Sequence, residues 1–323
     1  MFVLSISSWY LLKKRDMGFA RRSFAIASAF GTAAILSVII LGDESGYEIG
    51  DVQKTKLAAI EAEWHTEEAP AAFTLIGLPN METHTTDYAI KIPYAMGIIA
   101  TRSLDTEVVG IKDLIAQHEV RIRNGIIASE RLKTLRSGDN TPENIALFDE
   151  VKADLGYGLL LKRYTENISE ATEEQIKQAA ADTIPHVPSL FWAFRIMVGA
   201  GFLMLVLFGL AFWASTRHNQ EHKPWLLKFA LLCLPLPWVG VQTGWYVAEM
   251  GRQPWSIGEV LPTFLSASSL SVADVWSSII AIAVIYTVLI IIEMFLMIRF
   301  ARKGPSCLHT GRYHFEQNTT KNV

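Results

Sequence analysis

The sequence predicts an all-α protein, a polytopic transmembrane helix bundle that carries a helical loop domain outside the membrane. Three observations point there. Four apolar runs, 24–42, 190–214, 226–248 and 275–298, are each long enough to cross a bilayer as a helix. Half of the 323 residues are hydrophobic and the mean hydropathy is +0.25, which is unusual for a soluble chain. Basic residues gather at alternate connections between the runs, as the positive-inside rule requires of a multi-pass protein.

Taken in order, residues 1–12 form an apolar stretch that would rise only about 18 Å as a helix, too little to span. Its charges are also wrong for a signal peptide, because Lys13, Lys14 and Arg15 follow the apolar part. The expectation is the second half of a transmembrane helix whose first half lies upstream, so that the chain starts inside a larger protein. Residues 1–42 then hold this partial helix and one complete span. Residues 43–189 form the outer loop domain, 190–298 hold three spans, and 299–323 are a polar tail. Arg21 and Arg22 join the first basic connection. Arg217 and Lys223 lie in the short loop between the second and third complete spans, and Arg299, Arg302, Lys303 and Arg312 follow the last one. All three segments therefore read as cytoplasmic, which puts 43–189 and 249–273 outside.

The outer loop is too long for a connector and carries a net charge of −11, leaving +8 on the rest of the chain. An acidic domain of this kind argues against nucleic acid as a partner. Within it, Asp51 is expected to cap a helix running toward Trp64. Ile111, Leu114, Ile115, Ile122 and Ile126 recur at helical spacing within 109–136. Thr141 before Pro142, with Gly156 closing the run, marks a short helix. Thr172 with Gln175 matches a capping box for another. Gly77-Leu78-Pro79 and Ile92-Pro93 interrupt the earlier stretch. The two cysteines, Cys233 in a span and Cys307 in the tail, offer no disulfide to the outer loop.

Chemistry concentrates in the run GWYVAEMGRQPW, residues 244–255. A carboxylate near hydrocarbon costs up to about 3 kcal/mol at a helix centre, so Glu249 needs compensation. Trp245 precedes it by one turn and Arg252 follows it by three residues. Glu249 is then either the ion-pair partner of Arg252 or a carboxylate ligand to iron. Met197 lies two residues after Arg195 in another span. A thioether there is either core filling or an axial heme ligand. An intramembrane arginine needs an anionic partner, and a heme propionate would be one. No histidine falls in a predicted span, so any histidine ligand must come from elsewhere. His218 and His222 are spaced for a metal but read as a solvated face. Glu293, near the end of the last span, is expected to pair across helices. Lys56 and Glu61 point about 140° apart on an ideal helix, and on spacing alone they too read as an ordinary solvated face.

Together, residues 42–64 (GDESGYEIGDVQKTKLAAIEAEW), 194–198 (FRIMV), 244–263 (GWYVAEMGRQPWSIGEVLPT) and 303–317 (KGPSCLHTGRYHFEQ) resemble subunit I of the cytochrome bd quinol oxidases. The resemblance extends over essentially the whole chain, with an outer loop like that of the long quinol-loop type. It implies that Met197 is the methionine ligand of a low-spin heme b and that Arg195 lies beside that heme. It implies that Glu249 ligates a high-spin heme, most simply the high-spin heme b, with Trp245 and Arg252 nearby, and that heme d completes the set. Lys56 and Glu61 match the loop residues of quinol oxidation, which replaces the solvated-face reading. The implied setting is a bacterial inner membrane with the outer loop in the periplasm. The implied partners are an oxidase subunit II, a small single-helix accessory subunit, membrane quinol, O2 and the lipid bilayer.

The resemblance also implies further helices before the point matching Met1, with the histidine ligands and acidic residues of a proton path. This polypeptide alone is accordingly expected to be inactive. Two other classes stay in view: a membrane receptor or transporter component with an extracytoplasmic ligand-binding loop, and a heme-free scaffold that binds subunit II. Visible heme absorption separates them from an oxidase.

Overall fold

The computed structural model describes residues 1–69, 71–97, 102–103 and 105–303. Residues 304–317 of the family-like tail, with Cys307, therefore lie outside the described residues. The helical fold class stands. Four helical segments, Met17–Gly50, Val187–Thr216, Pro224–Met250 and Val272–Arg302, are long and apolar enough to cross a membrane. The chain is an integral membrane protein.

Helix α1 (Phe2–Leu12) turns at Lys13–Asp16 into α2 (Met17–Val52), a 36-residue helix about 54 Å long that extends well beyond the apolar stretch. Helix α8 (Val187–Thr216) is the second span. The third is divided into α9 (Pro224–Leu232) and α10 (Leu236–Met250). The sequence pattern predicted one continuous helix there. Pro235 and Pro237 prevent it, since proline lacks the N–H and its ring crowds the preceding turn. Leu4, Leu11, Phe24, Leu207, Phe208 and Leu226 are buried in one cluster that joins α1, α2, α8 and α9. Arg21 bonds Glu221, so the two basic connections lie at the same end of the bundle.

The outer loop opens with α3 (Lys54–Glu61), which follows α2 after a single residue. Asp51 lies inside α2, and Gln53 occupies the cap position of α3 without a side-chain bond. The expected Asp51 cap is therefore replaced by a near-continuous helix. The stretch interrupted by Gly77 and Pro79 forms an antiparallel hairpin, β1 (Phe73–Asn80) and β2 (Thr85–Ile92), irregular in register around Ile76. Helix α4 (Ile111–Arg136) follows as its periodicity predicts. Thr141 caps α5 (Pro142–Val151) by accepting from the Asn144 N–H. Gly156 does not end that run. It sits inside α6 (Leu155–Leu159), where an added Cβ would lie 2.0 Å from the Glu259 carbonyl oxygen. Thr172 and Gln175 form the predicted capping box of α7 (Glu173–Ala181).

A cluster of Ile122, Tyr157, Leu160, Leu161, Ile168 and Ile176 forms the core of this domain, and Trp255 from the segment after α10 joins it. That segment carries a short hairpin, β3 (Trp255–Ile257) and β4 (Leu261–Pro262). Residues from Ala267 onward form a second unit, whose described residues, 267–303, consist mainly of α11 (Val272–Lys303).

Helices α4 and α6 cross at Gly125 and Gly158, where a Cβ on Gly125 would lie 2.3 Å from the Gly158 nitrogen. Gly125→Ala is expected to destabilise the outer domain by roughly 1–3 kcal/mol through overpacking. Limited proteolysis in detergent should show faster cleavage within 43–189, and an unchanged rate would contradict this crossing.

Candidate functional site

The outer end of α8 is where the predicted residues meet. Arg195 lies one turn after Phe191, and its guanidinium faces the end of α3 and strand β1. Its Nη2 donates to Glu61 Oε2 at 3.0 Å and to the Thr74 carbonyl. Its Nη1 donates to the carbonyls of Ile60 at 2.8 Å and Phe191 at 3.1 Å, and Nε donates to that of Leu75 at 3.0 Å. All five N–H groups are thereby used. The guanidinium carbon lies 3.3 Å from the Phe191 ring centre, in cation–π contact. The anionic partner argued for Arg195 is thus found within the protein, as Glu61.

Glu61 and Lys56 are both buried, at 5% and 8% exposure, so neither lies on a solvated face. Their 140° separation is resolved by α3 being enclosed on both sides. Ala58, Ala59 and Trp64 pack with Val187, Leu190 and Phe191 of α8, and Tyr246 and Met250 of α10 close the cluster. Lys56 lies over the C-terminal end of α10. A Cβ on Gly251 would come within 2.8 Å of Lys56 Cε. Burial lowers the Lys56 pKa, the nearby Arg252 charge lowers it further, and Glu249 opposes both.

Met197 also faces α10, with its sulfur 3.0 Å from where a Cβ on Gly244 would stand. One turn on, Glu249 bonds Arg252, as the ion-pair alternative predicted. Both side chains are partly exposed, at 39% and 44%. Trp238, Val241 and Trp245 leave an exposed apolar stripe on α10 leading to Glu249. The arrangement offers a thioether on one span and a carboxylate on the next, beside a wide apolar face. These donors suit heme iron and its flat macrocycle.

Glu63 carries no signal in spacing, yet it is buried at 6% exposure beside this site. Its only sequence cue is an acid placed between Ala62 and the buried Trp64. Burial raises the Glu61 pKa to about 7, against the lowering effect of Arg195. Burial, reinforced by the Glu67 charge, raises that of Glu63 to about 8. Farther out, Arg121 donates to Asp154 at 2.6 Å and Tyr157 at 3.1 Å and pairs with Glu259 at 2.9 Å, which ties α4 and α6 to the segment after Arg252.

Because Glu61 holds its proton more tightly when folded, its stabilising contribution is complete below about pH 4.5 and is lost as pH rises through about 7. The wild-type outer domain is expected to lose roughly 3 kcal/mol more than a Glu61→Gln variant across that window. The measurement is the thermal midpoint of both proteins against pH. Parallel curves would rule out a proton on Glu61 in this range.

Known proteins resemble this chain along nearly its whole length. The family model for cytochrome bd terminal oxidase subunit I matches residues 1–305. The cytochrome bd-II ubiquinol oxidase subunit 1 of Escherichia coli (strain K12) is 42% identical over 310 residues, covering 96% of this chain and 60% of that protein. The cytochrome bd ubiquinol oxidase subunit 1 of Bacillus subtilis (strain 168) is 27% identical over 304 residues, covering 94% and 53%. Among solved structures, the bd oxidase from Geobacillus thermodenitrificans superposes with a TM-score of 0.62 at 22% identity, over 94% of this chain and 54% of that one. That likeness concerns the fold. The chain spans 60% and 53% of the length of these two curated relatives. On the family match and the 42% identity, this chain belongs to the cytochrome bd terminal oxidase subunit I family.

Proposed function

We propose that this chain supplies the quinol-oxidising loop and part of the heme-binding bundle of a respiratory terminal oxidase that reduces O2 to water. The observation that carries this reading is the buried Glu61–Arg195 pair, two residues from Met197, with Lys56 reaching the Glu249–Arg252 end of α10. Loop residues that handle protons and span residues that suit iron are thereby joined in one structure.

Glu61 is the general base for the quinol hydroxyl. A carboxyl whose pKa lies near 7 both accepts and releases a proton at neutral pH. Arg195 fixes its position and keeps its anionic form accessible despite burial. Lys56, whose pKa is lowered by burial, orients the quinol oxygen or offsets the negative charge left on deprotonation. Met197 would hold a low-spin heme b with Arg195 adjacent, and Glu249 a high-spin heme b beside Trp245 and Arg252, with heme d as the third group. Heme bound there supplies one-electron transfer and the reduction of oxygen.

The outer loop, 43–189, and the segment 249–273 then face the periplasm, and the C-terminus faces the cytoplasm of a bacterium. Protons from quinol leave outside while those used in making water come from inside. Each charge so separated works against about 2.3 kcal/mol per 100 mV. Oxidase subunit II and a small single-helix subunit are the partners. The long apolar α11 span suits packing against further helices.

In the assembled full-length oxidase, Glu61→Gln and Lys56→Ala are each expected to cut quinol oxidation at least about tenfold while heme absorption is retained. Met197→Leu is expected to remove the low-spin heme b absorption. Wild-type turnover in both loop variants would overturn this reading.

A further inference from the structure

The two acids at the end of α3 are held differently. Glu61 is clamped by Arg195. Glu63 is almost as deeply buried, yet its carboxyl makes no hydrogen bond or ion pair among the described residues. Its backbone is well fixed. Ala62 takes the left-handed conformation at φ 53°, the Glu63 N–H donates to the Ala58 carbonyl at 2.9 Å, and its carbonyl accepts from Ile111 at 2.8 Å. The turn thus fixes where the side chain starts, and no partner ties its carboxyl among the described residues.

The charges around Glu63 indicate a role for it. It feels Glu67 most strongly, then Lys91 on β2, then Glu61. Glu67 pairs with Lys91 and accepts from the Ala72 N–H at 3.1 Å, and this pair is open to water at 29% and 43% exposure. Glu63 therefore stands within electrostatic range of both the sealed acid and the wet ion pair. A proton taken up by Glu61, which is 5% exposed, needs a neighbour through which to leave.

We propose that Glu63 is the second proton carrier of the quinol site, receiving the proton that Glu61 accepts and passing it to water at the Glu67–Lys91 pair. This rests on the quinol-oxidation reading. Glu63 first releases its own proton outward, and the Glu61 carboxylic acid then gives its proton to the Glu63 carboxylate, directly or across one bridging water. Glu61 is thereby returned to its anionic form, ready for the second quinol proton, and Glu63 is neutral again. Only O–H bonds form and break, and no electron moves.

The test compares Glu63→Gln, Glu63→Asp and Glu61→Gln in the assembled full-length oxidase. Three quantities are read: steady-state quinol oxidation, its solvent deuterium isotope effect, and the carboxylic-acid band in reduced-minus-oxidised infrared spectra. Glu63→Gln is expected to keep heme absorption and hold KM within about twofold. It should lower kcat about tenfold, raise the isotope effect and lose a carboxylic-acid band. Glu63→Asp is expected to recover most of the rate. Wild-type kcat with the band intact in Glu63→Gln would overturn the proposal. So would equal losses in both Glu63 variants with an unchanged isotope effect, the mark of a structural role. Wild-type turnover in Glu61→Gln would instead remove the quinol-site reading itself, whatever the Glu63 variants do.

Discussion

Arg195 has five N–H groups at the edge of a membrane span, and five acceptors from three separate parts of the chain converge on them. Ile60 and Glu61 come from the end of α3, Thr74 and Leu75 from β1, and Phe191 from the preceding turn of α8. A guanidinium left unpaired there would carry a heavy desolvation cost, and breaking a buried pair by removing one partner costs about 3–5 kcal/mol. The outer loop is therefore held against the span by a group that cannot afford to lose it. Glu61, Lys56 and the turn carrying Glu63 take their positions from this attachment. A more exposed arginine would leave α3 free to fray, and both loop acids would titrate like ordinary surface carboxylates.

A second attachment works at the far side of the loop. Arg121, Asp154, Tyr157 and Glu259 form a charged network over the Tyr157–Trp255 aromatic contact. It binds α4 and α6 to the segment that leaves α10 just after Arg252. The loop domain thus grips both the start of α8 and the exit of α10, the two span ends that carry Met197 and Glu249. The proposed quinol chemistry in the loop and the proposed iron ligation in the spans would consequently share one mechanical frame. A disturbance of the loop core is transmitted to α10 through Trp255 and Glu259.

Much of this was legible beforehand, for identifiable reasons. Four spans follow from unbroken apolar length, and Thr141 and Thr172 act as caps because their local bonding needs no tertiary partner. Other features were not legible. Hairpin β1–β2 was hidden because its alternation is irregular and Gly77 and Pro79 read as breaks. Gly156 resembled a helix stop, whereas its small size serves a close approach to Glu259. The third span looked continuous, since hydropathy does not register the missing N–H groups of Pro235 and Pro237. Lys56 and Glu61 looked solvated on helical spacing, because spacing cannot tell that α3 is enclosed on two sides.

The sequence by itself determined the membrane character, the four long apolar spans, the acidic loop domain and the family, all of which depend on composition and contiguous motifs. Glu249 beside Arg252 and Arg195 beside Met197 were also visible, because each pair is local along a helix. Only the tertiary structure decided which group neutralises Arg195, that Lys56 reaches the end of α10, and that Glu63 is buried next to Glu61. These facts depend on which segments meet at the outer end of α8. That meeting is governed by the desolvation of one guanidinium and the packing of α3 between two spans, and neither leaves a periodic trace in the chain.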